Sequence, residues 1–398
     1  MAIDVRGSRG RPFERSERAE IGLVVRRFDW VLLVATTALL AYGLWAIAGI
    51  TQHDIPGNPR YFVTRQLVFA AIGVVGFAVT SLIDTDLYRR HHRVLYAGLL
   101  AMMTIVLVAG AAARNSRRWI DLGPFRFQPS EFGKLLIVLA LAGFLADRVR
   151  RGGERRMVLT TVGLAAGPIL LVFLQPDLGT ALVFLAAATA VLFCAGIRWS
   201  SVIVLTLVGG LTALAVLWLL PAAGVRVLHD YQVARLTGFV NPDLDPSGST
   251  YTVTQSITAV GAGGLDGRGV SGATQTALNY LPEHATDFAF AALAEQRGFV
   301  GAAFLLVLYL VVVWRGLRLM TAARDPFALI AAGGIVVGLL FQIFVNVGMT
   351  IGIAPITGIP LPFVSVGGSS LIANLLAFGV LQSIHARGRT GRGRRPLR

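Results

Sequence analysis

Long apolar stretches separated by short polar segments occupy almost the whole chain. Ten can be delimited, at about Trp30–Ile50, Gln66–Ile83, Val94–Ala113, Glu131–Ala146, Val158–Leu174, Thr180–Gly196, Ser201–Leu220, Asp287–Trp314, Pro326–Val347 and Ser369–Ile384. Runs of roughly 20 residues with few charges match the length of a helix that crosses a bilayer. The pattern predicts an all-α polytopic membrane protein of about ten transmembrane helices. One connection is long, from about 221 to 286, between the seventh and eighth runs. Composition agrees: 55% of the 398 residues are hydrophobic and 14% charged, more apolar material than a soluble core absorbs.

The charges turn this pattern into a topology. Twenty-five of the thirty-five arginines lie before the first run, after the last, or in every second connection. The connections concerned hold Arg89, Arg90 and Arg93; Arg148, Arg150, Arg151, Arg155 and Arg156; Arg198; and Arg315, Arg318 and Arg324. Alternating helices put all of them on one side, which the positive-inside rule assigns to the cytoplasm. The same segregation, despite a net charge of +15, speaks against a nucleic-acid groove, which needs one continuous basic surface. Residues 1–28 are then a basic cytoplasmic tail, 29–386 the membrane domain and 387–398 a second basic cytoplasmic tail. Both tails suit contact with anionic membrane lipid. No small-residue cleavage site follows a short apolar stretch near the N-terminus, so the first helix is expected to be retained. The single cysteine, Cys194, allows no intrachain disulfide and no thiolate metal cluster.

Polar chemistry collects on the opposite face. Of thirty-six cationic side chains one is lysine, Lys134, in Gln128-Pro129-Ser130-Glu131-Phe132-Gly133-Lys134 at the start of the fourth run. An ammonium is a compact point charge and a guanidinium a planar fork, so one lysine among arginines marks a place that wants an ammonium. Ionisable groups inside a membrane run are costly and point to function. Ser130 reads as an N-cap after Pro129, and Glu131 shares a helix face with Lys134 three residues on. An internal ion pair that makes insertion tolerable is the plainer alternative. A second motif, Gln175-Pro176-Asp177-Leu178-Gly179-Thr180, offers Asp177 as a cap for the sixth helix. A third segment, from Arg235 to Glu295, holds Asn241-Pro242-Asp243, a glycine-rich stretch from Gly261 to Gly269, and Leu281-Pro282-Glu283-His284-Ala285-Thr286-Asp287-Phe288. The fourth runs from Pro355 to Ser370, and its proline and glycine at membrane depth imply non-helical backbone buried against protein or lining a water-filled cavity. Arg114, Arg117, Arg118, Arg126, Arg235 and Arg268 sit on a face that should avoid positive charge. Phosphate matches the guanidinium fork; local carboxylates such as Asp121, Asp243 or Asp266, or lipid headgroups, are the other partners available.

The four segments, in this order on ten helices, resemble the SEDS family (shape, elongation, division and sporulation) from about Arg27 to Arg387. Within it, Ile356-Thr357-Gly358-Ile359-Pro360-Leu361-Pro362-Phe363 and the ending Gln382-Ser383-Ile384-His385 look like the RodA branch more than FtsW. The resemblance implies a multi-pass protein of the bacterial cytoplasmic membrane. It implies a peptidoglycan glycosyltransferase that polymerises lipid II, a disaccharide-pentapeptide on undecaprenyl pyrophosphate, into glycan at the outer face for elongation and shape. A class B penicillin-binding protein would crosslink the product alongside. The resemblance makes Asp287 the essential aspartate, suited to act as base, with Glu131 and Lys134 as further catalytic residues. Substrate contacts are implied at Arg118, Trp119, Gln128, Ser130, Asp177, Arg235, Arg268, Glu295 and Ser365. No cofactor is fixed by it; a divalent cation, Mg or Mn, shared between Asp287, Glu131 and substrate phosphate is compatible. The plainer role for Asp287 is an N-cap of the eighth helix.

The pattern departs from the family at His284-Ala285 before Thr286, at Gln296 after Glu295, at Val366, and at Asn115-Ser116. None of these removes a proposed catalytic group. Ala331, Gly334 and Gly338 would let a partner helix approach the ninth helix closely; packing inside the bundle is the alternative. A lipid flippase or transporter would use similar broken helices and buried charge. The absence of an internal repeat, and the crowding of polar motifs on one face, weigh against it. A pure scaffold would not need Glu131 and Lys134 at membrane depth. Within the family, an FtsW-like polymerase of division is the alternative.

Overall fold

A computed structural model describes residues 26–113, 116–123, 125–149, 153–215, 249–323 and 325–388, together with 219, 232, 233, 235 and 239. Among the described residues each of the ten apolar runs is helical over most of its length, and the third ends in a strand at Ala111–Ala113. The first half of the chain supplies α1 (Trp30–Ile50), α2 (Tyr61–Leu82), a short α3 (Thr85–Arg90) and α4 (His92–Ala109). Strands β1 (Ala111–Ala113), β2 (Ser116–Leu122) and β3 (Phe125–Phe127) come next, then α5 (Pro129–Ala146), α6 (Glu154–Leu174), α7 (Leu178–Cys194) and α8 (Trp199–Leu214). Part of the long connection is helical, in α9 (Ser249–Gly263), α10 (Gly269–Gly272) and α11 (Thr274–Ala277). The chain closes with α12 (Ala289–Ala322), α13 (Pro326–Thr350) and α14 (Gly368–Gly388). Eight of the ten helices are long and apolar enough to cross a membrane, and α7 and α8 are shorter. This is an all-α polytopic membrane protein, with one small sheet among the described residues. Asn241, Asp243 and Arg114 lie outside the described residues.

Local chemistry sets the helix starts. Asp29 caps α1 by accepting from Leu32 N at 3.0 Å, and Asp325 caps α13 at Ala328 N, 2.8 Å, with Pro326 in the first position. Asp177 caps α7 as expected, accepting from Thr180 N at 3.1 Å and Thr180 Oγ1 at 3.0 Å. Ser130 is not a cap. Proline 129, which has no N–H to satisfy and a preset φ, takes the first helical position of α5, so Gln128 becomes the cap residue and Ser130 falls within the first turn. Nor does Asp287 cap the eighth membrane helix: α12 begins after Phe288 without a side-chain cap. That helix is broken at Gly298, whose φ of +64° turns a short outer leg away from the long inner one.

The bundle is layered. Helices α5, α13 and α14 are buried along most of their length, while α2 and α4 turn valine and leucine side chains outward, as a helix facing lipid does. Helix α14 lies along α2, and α13 packs on α7, α12 and α5. Gly334 and Ala331 face inward here. A methyl group on Gly334 would stand 2.6 Å from Val138 of α5 and 2.7 Å from Val191 of α7, and Ala331 is fully buried. Of the two roles open to this stripe, a docking face or packing inside the bundle, close packing of α13 on its neighbours occupies Ala331 and Gly334. Antiparallel β1-β2-β3 sits between α4 and α5, with Asp121 opposite Arg126 and their side chains paired at 3.1 Å.

Candidate active site

The segment 355–367 has no helix, as its prolines require, and none of its residues is exposed, with Leu361 to Ser365 buried. Backbone groups buried without regular structure need side-chain partners. Asn346 of α13 donates to Ile359 O at 2.8 Å, Gln66 of α2 to Ser365 O at 3.3 Å, and Tyr309 of α12 to Pro362 O. The Ser365 hydroxyl accepts from Leu361 N at 2.8 Å and donates to Thr286 O. Val366 N donates to Ala285 O at 2.8 Å, and Asn346 also donates to Asp287 O at 2.8 Å. Three successive carbonyls, 285 to 287, are thus pinned to the Pro-Gly segment and to α13. His284 fastens the same loop to the turn after α1, with Nε2 2.9 Å from Asp54 Oδ1 and Nδ1 3.0 Å from Leu281 O. Burial alone would lower the His284 pKa, but the Asp54 carboxylate, the Leu281 carbonyl and Glu283 outweigh it and leave it raised.

This bracing places the Asp287 carboxylate in a cavity of about 910 Å³. Helix α2 contributes Tyr61, Arg65 and Gln66 to its wall; the sheet contributes Arg118, Trp119 and Arg126; Gln128, Glu131 and Asp177 follow; Arg235, Glu283 and Ser369 complete it. A methyl group at Gly358 would lie 3.4 Å from both Arg235 Nη1 and Asp287 Oδ2, so these two charges flank the same glycine. Arg118 donates to Gln175 O at 3.1 Å and to Pro176 O, and stands 3.9 Å from Asp177 Oδ1. Gln128 reaches Asp177 Oδ2 at 3.5 Å and Ser130 Oγ at 3.3 Å. Loss of hydration raises the Asp287 pKa to about 6; Arg235 and Arg118 pull it down, while Glu283 and Asp177 push it up. A carboxylate so tuned is largely ionised at neutral pH yet basic enough to take a proton.

At the inner end of the cavity lies the ion pair the sequence singles out. Lys134 Nζ is 2.7 Å from Glu131 Oε2 and 2.8 Å from Gln342 Oε1, and Glu131 is buried. Glu131 also borders a second, narrow cavity of about 40 Å³ lined by Lys134, Gln342 and Asn374.

Of the residues expected to meet substrate, Arg118, Trp119, Gln128, Asp177 and Arg235 line the cavity with Asp287 and Glu131, and Lys134 sits beneath them. Four do not line it. Ser130 lies behind Gln128, and Ser365 is committed to Thr286 and Leu361. Glu295 is fully buried, with its carboxylate accepting from Gln275 N, Thr276 N and Thr276 Oγ1 at 2.8, 3.0 and 2.7 Å, which anchors α11. Arg268 is exposed and donates to Ala262 O at 2.9 Å. Two wall residues, Arg65 and Gln66, carry a sequence signal of their own: a charge and an amide at the edge of an apolar run, the same anomaly that marks Lys134. Among the described residues no three His, Cys, Asp or Glu side chains form a metal-binding group.

Comparison with known proteins extends the picture. A model for cell cycle proteins that covers FtsW, RodA and SpoVE matches residues 27–390. Peptidoglycan glycosyltransferase MrdB of Escherichia coli (strain K12) is 36% identical over 357 residues, 90% of this chain and 93% of its own. Stage V sporulation protein E of Bacillus subtilis (strain 168) is 36% identical over 362 residues, 89% and 96% of the two chains. The crystal structure of the rod shape determining protein RodA of Thermus thermophilus superposes with a TM-score of 0.66 at 29% identity, covering 91% of this chain and 98% of that one. A chain from a peptidoglycan synthase complex that coordinates polymerization and crosslinking superposes with a TM-score of 0.75 at 31% identity, covering 91% and 99%. With likeness at this level across the whole membrane domain, the chain belongs to the SEDS family of FtsW, RodA and SpoVE.

Proposed function

We propose that the cavity polymerises lipid II into glycan strands, the chain being a peptidoglycan glycosyltransferase of cell elongation and shape. One observation carries the proposal: a carboxylate with a raised pKa, Asp287, shares one cavity with Arg65, Arg118, Arg126 and Arg235. Glycosyl transfer needs both. A sugar hydroxyl attacks the anomeric carbon, a new glycosidic C–O bond forms, and the bond to pyrophosphate breaks. Asp287 takes the hydroxyl proton. The guanidinium groups stabilise the charge that collects on the departing undecaprenyl pyrophosphate. At about 910 Å³ the cavity is near the top of the roughly 300–1,000 Å³ span of small-molecule sites, in keeping with a disaccharide head group. Glu131 and Lys134 fix a charge pair at its inner end. A Mg or Mn ion, where one takes part, would be held by Asp287 with substrate phosphate, because Glu131 is engaged by Lys134 and Asp177 by Thr180.

The relatives support this assignment: MrdB is a peptidoglycan glycosyltransferase, and RodA a rod shape determining protein. The similar chain from a synthase complex supports a class B penicillin-binding protein as the crosslinking partner. The arginine distribution supports a cavity that opens outside the cytoplasmic membrane. The test is reconstitution of purified protein with lipid II and its partner. Glycan polymer is expected. Lipid movement without polymer would replace the proposal by a flippase, and neither by a scaffold.

A further inference from the structure

The two charged centres of the cavity stand on different helices, Glu131 and Lys134 on α5 and Asp287 just before α12. Helix α13 touches both. Gln342 Oε1 accepts from Lys134 Nζ at 2.8 Å, and four residues on, Asn346 Nδ2 donates to Asp287 O at 2.8 Å and to Ile359 O at 2.8 Å. Residues four apart lie on one helix face, separated by about 6 Å along the axis. Both amides are oriented by their partners. An ammonium offers only donors, so Gln342 must present its oxygen to it, and its nitrogen turns to Gly338 O at 3.3 Å. Two carbonyls offer only acceptors, so Asn346 must present its nitrogen. Gln342 is 4% exposed and Asn346 fully buried, so neither contact is open to bulk water.

We propose that Gln342 and Asn346 form one positioning element, a polar ladder on α13 that sets the distance between the Glu131–Lys134 pair and Asp287. Neither residue touches substrate in this scheme. Each acts through the group it holds, and because both steps of the ladder share one rigid helix, displacement of one centre is transmitted to the other. The role in catalysis rests on the glycosyltransferase assignment; the ladder itself does not.

The single lysine makes the test direct. Protein grown with [ε-¹³C]lysine gives one side-chain resonance, from Lys134, in the full-length chain in detergent. Gln342→Met, which keeps volume and removes the acceptor, should move that resonance. Asn346→Leu, one turn away and not in contact with Lys134, should move it in the same direction by a smaller amount. In lipid II polymerisation each variant should lower kcat by on the order of 10- to 100-fold, the scale of a slightly misplaced group, with little change in KM. The double variant should cost no more than the worse single one. Gln342→Asn and Asn346→Ser, gentler changes that keep a polar group, provide the same readings if a larger substitution lowers folded yield. A Lys134 resonance unmoved by change at residue 346, or strictly additive losses, overturns the ladder. A wild-type protein that makes no polymer overturns the glycosyltransferase assignment instead, and the resonance still decides the ladder.

Discussion

Asp287 combines three features that a structural aspartate would not need. It does not cap the helix that follows it; its backbone is held by Asn346; and its carboxylate faces arginines across a cavity. Asp287→Ala should therefore reduce lipid II polymerisation by about 100-fold or more, the range for loss of a general base, with folded yield unchanged. Near-normal turnover by the purified variant would remove Asp287 from the mechanism. The base must be ionised to act, and its pKa is raised to about 6, so kcat/KM should climb as pH rises through about 6 and level off above it. A rate flat from pH 5 to 8 would contradict the assignment. Lys134 makes a second test at this scale. Its ammonium sits between Glu131 at 2.7 Å and Gln342 at 2.8 Å, with 12% of the side chain exposed. A guanidinium carries the same charge but is planar and longer, and it cannot occupy that gap without moving one partner. Lys134→Arg should lower polymerisation by roughly 10- to 100-fold, the scale of a misplaced group. Full activity in vitro would show that charge alone matters there.

The elements show which features a sequence makes legible. Runs such as Trp30–Ile50 were readable to the residue, because helix length in a membrane is set by apolar content and the Asp29 cap is local. Strands β1 to β3 were not. Ala111–Ala113 reads as the end of the third run, and pairing across a turn at Gly123 leaves no period in seven residues of mixed polarity. The Gly298 break was equally hidden, since a lone glycine inside an apolar run has no distinct signature. At the site, Asp287, Glu131 and Lys134 stood out as charges in motifs, but Gln342 and Asn346 did not, because amides inside an apolar helix look like tolerated polarity until their partners are known. Glu295 and Arg268 misled for the converse reason: a charge beside a motif says nothing of where its side chain goes. Small residues on α13 are the remaining case. The stripe of Gly334 and Ala331 is compatible with a partner surface or with internal packing, and the neighbours Val138 and Val191 decide for packing. Gly334→Leu should overfill that contact, at about 1–3 kcal/mol or more, and reduce the thermal stability and folded yield of the protein alone. A stable variant that merely fails to co-purify with a transpeptidase would restore the docking role.

At the scale of the molecule, the functional assignment depends on which face of the membrane the cavity opens to. If the helices alternate through the bilayer, as the arginine distribution predicts, one labelled position on each side fixes them all. Two helices are short for a span: α7, with 17 residues, extends about 25 Å at 1.5 Å per residue, somewhat less than a typical hydrocarbon core. The Asp177 motif at its start lines the cavity together with Asp287. Arginine predicts the orientation: the connections between α5 and α6 and between α12 and α13 are basic, and the cavity lies at the other ends of these helices. Cys194 is the sole cysteine, half-buried, so Cys194→Ala gives a silent background. In intact cells, a membrane-impermeant maleimide should then label Asp266→Cys, exposed in the connection before α12, and leave Gly153→Cys, exposed before α6, unlabelled until the cells are opened. The reverse pattern would place the cavity in the cytoplasm, where glycan could not be delivered to the wall.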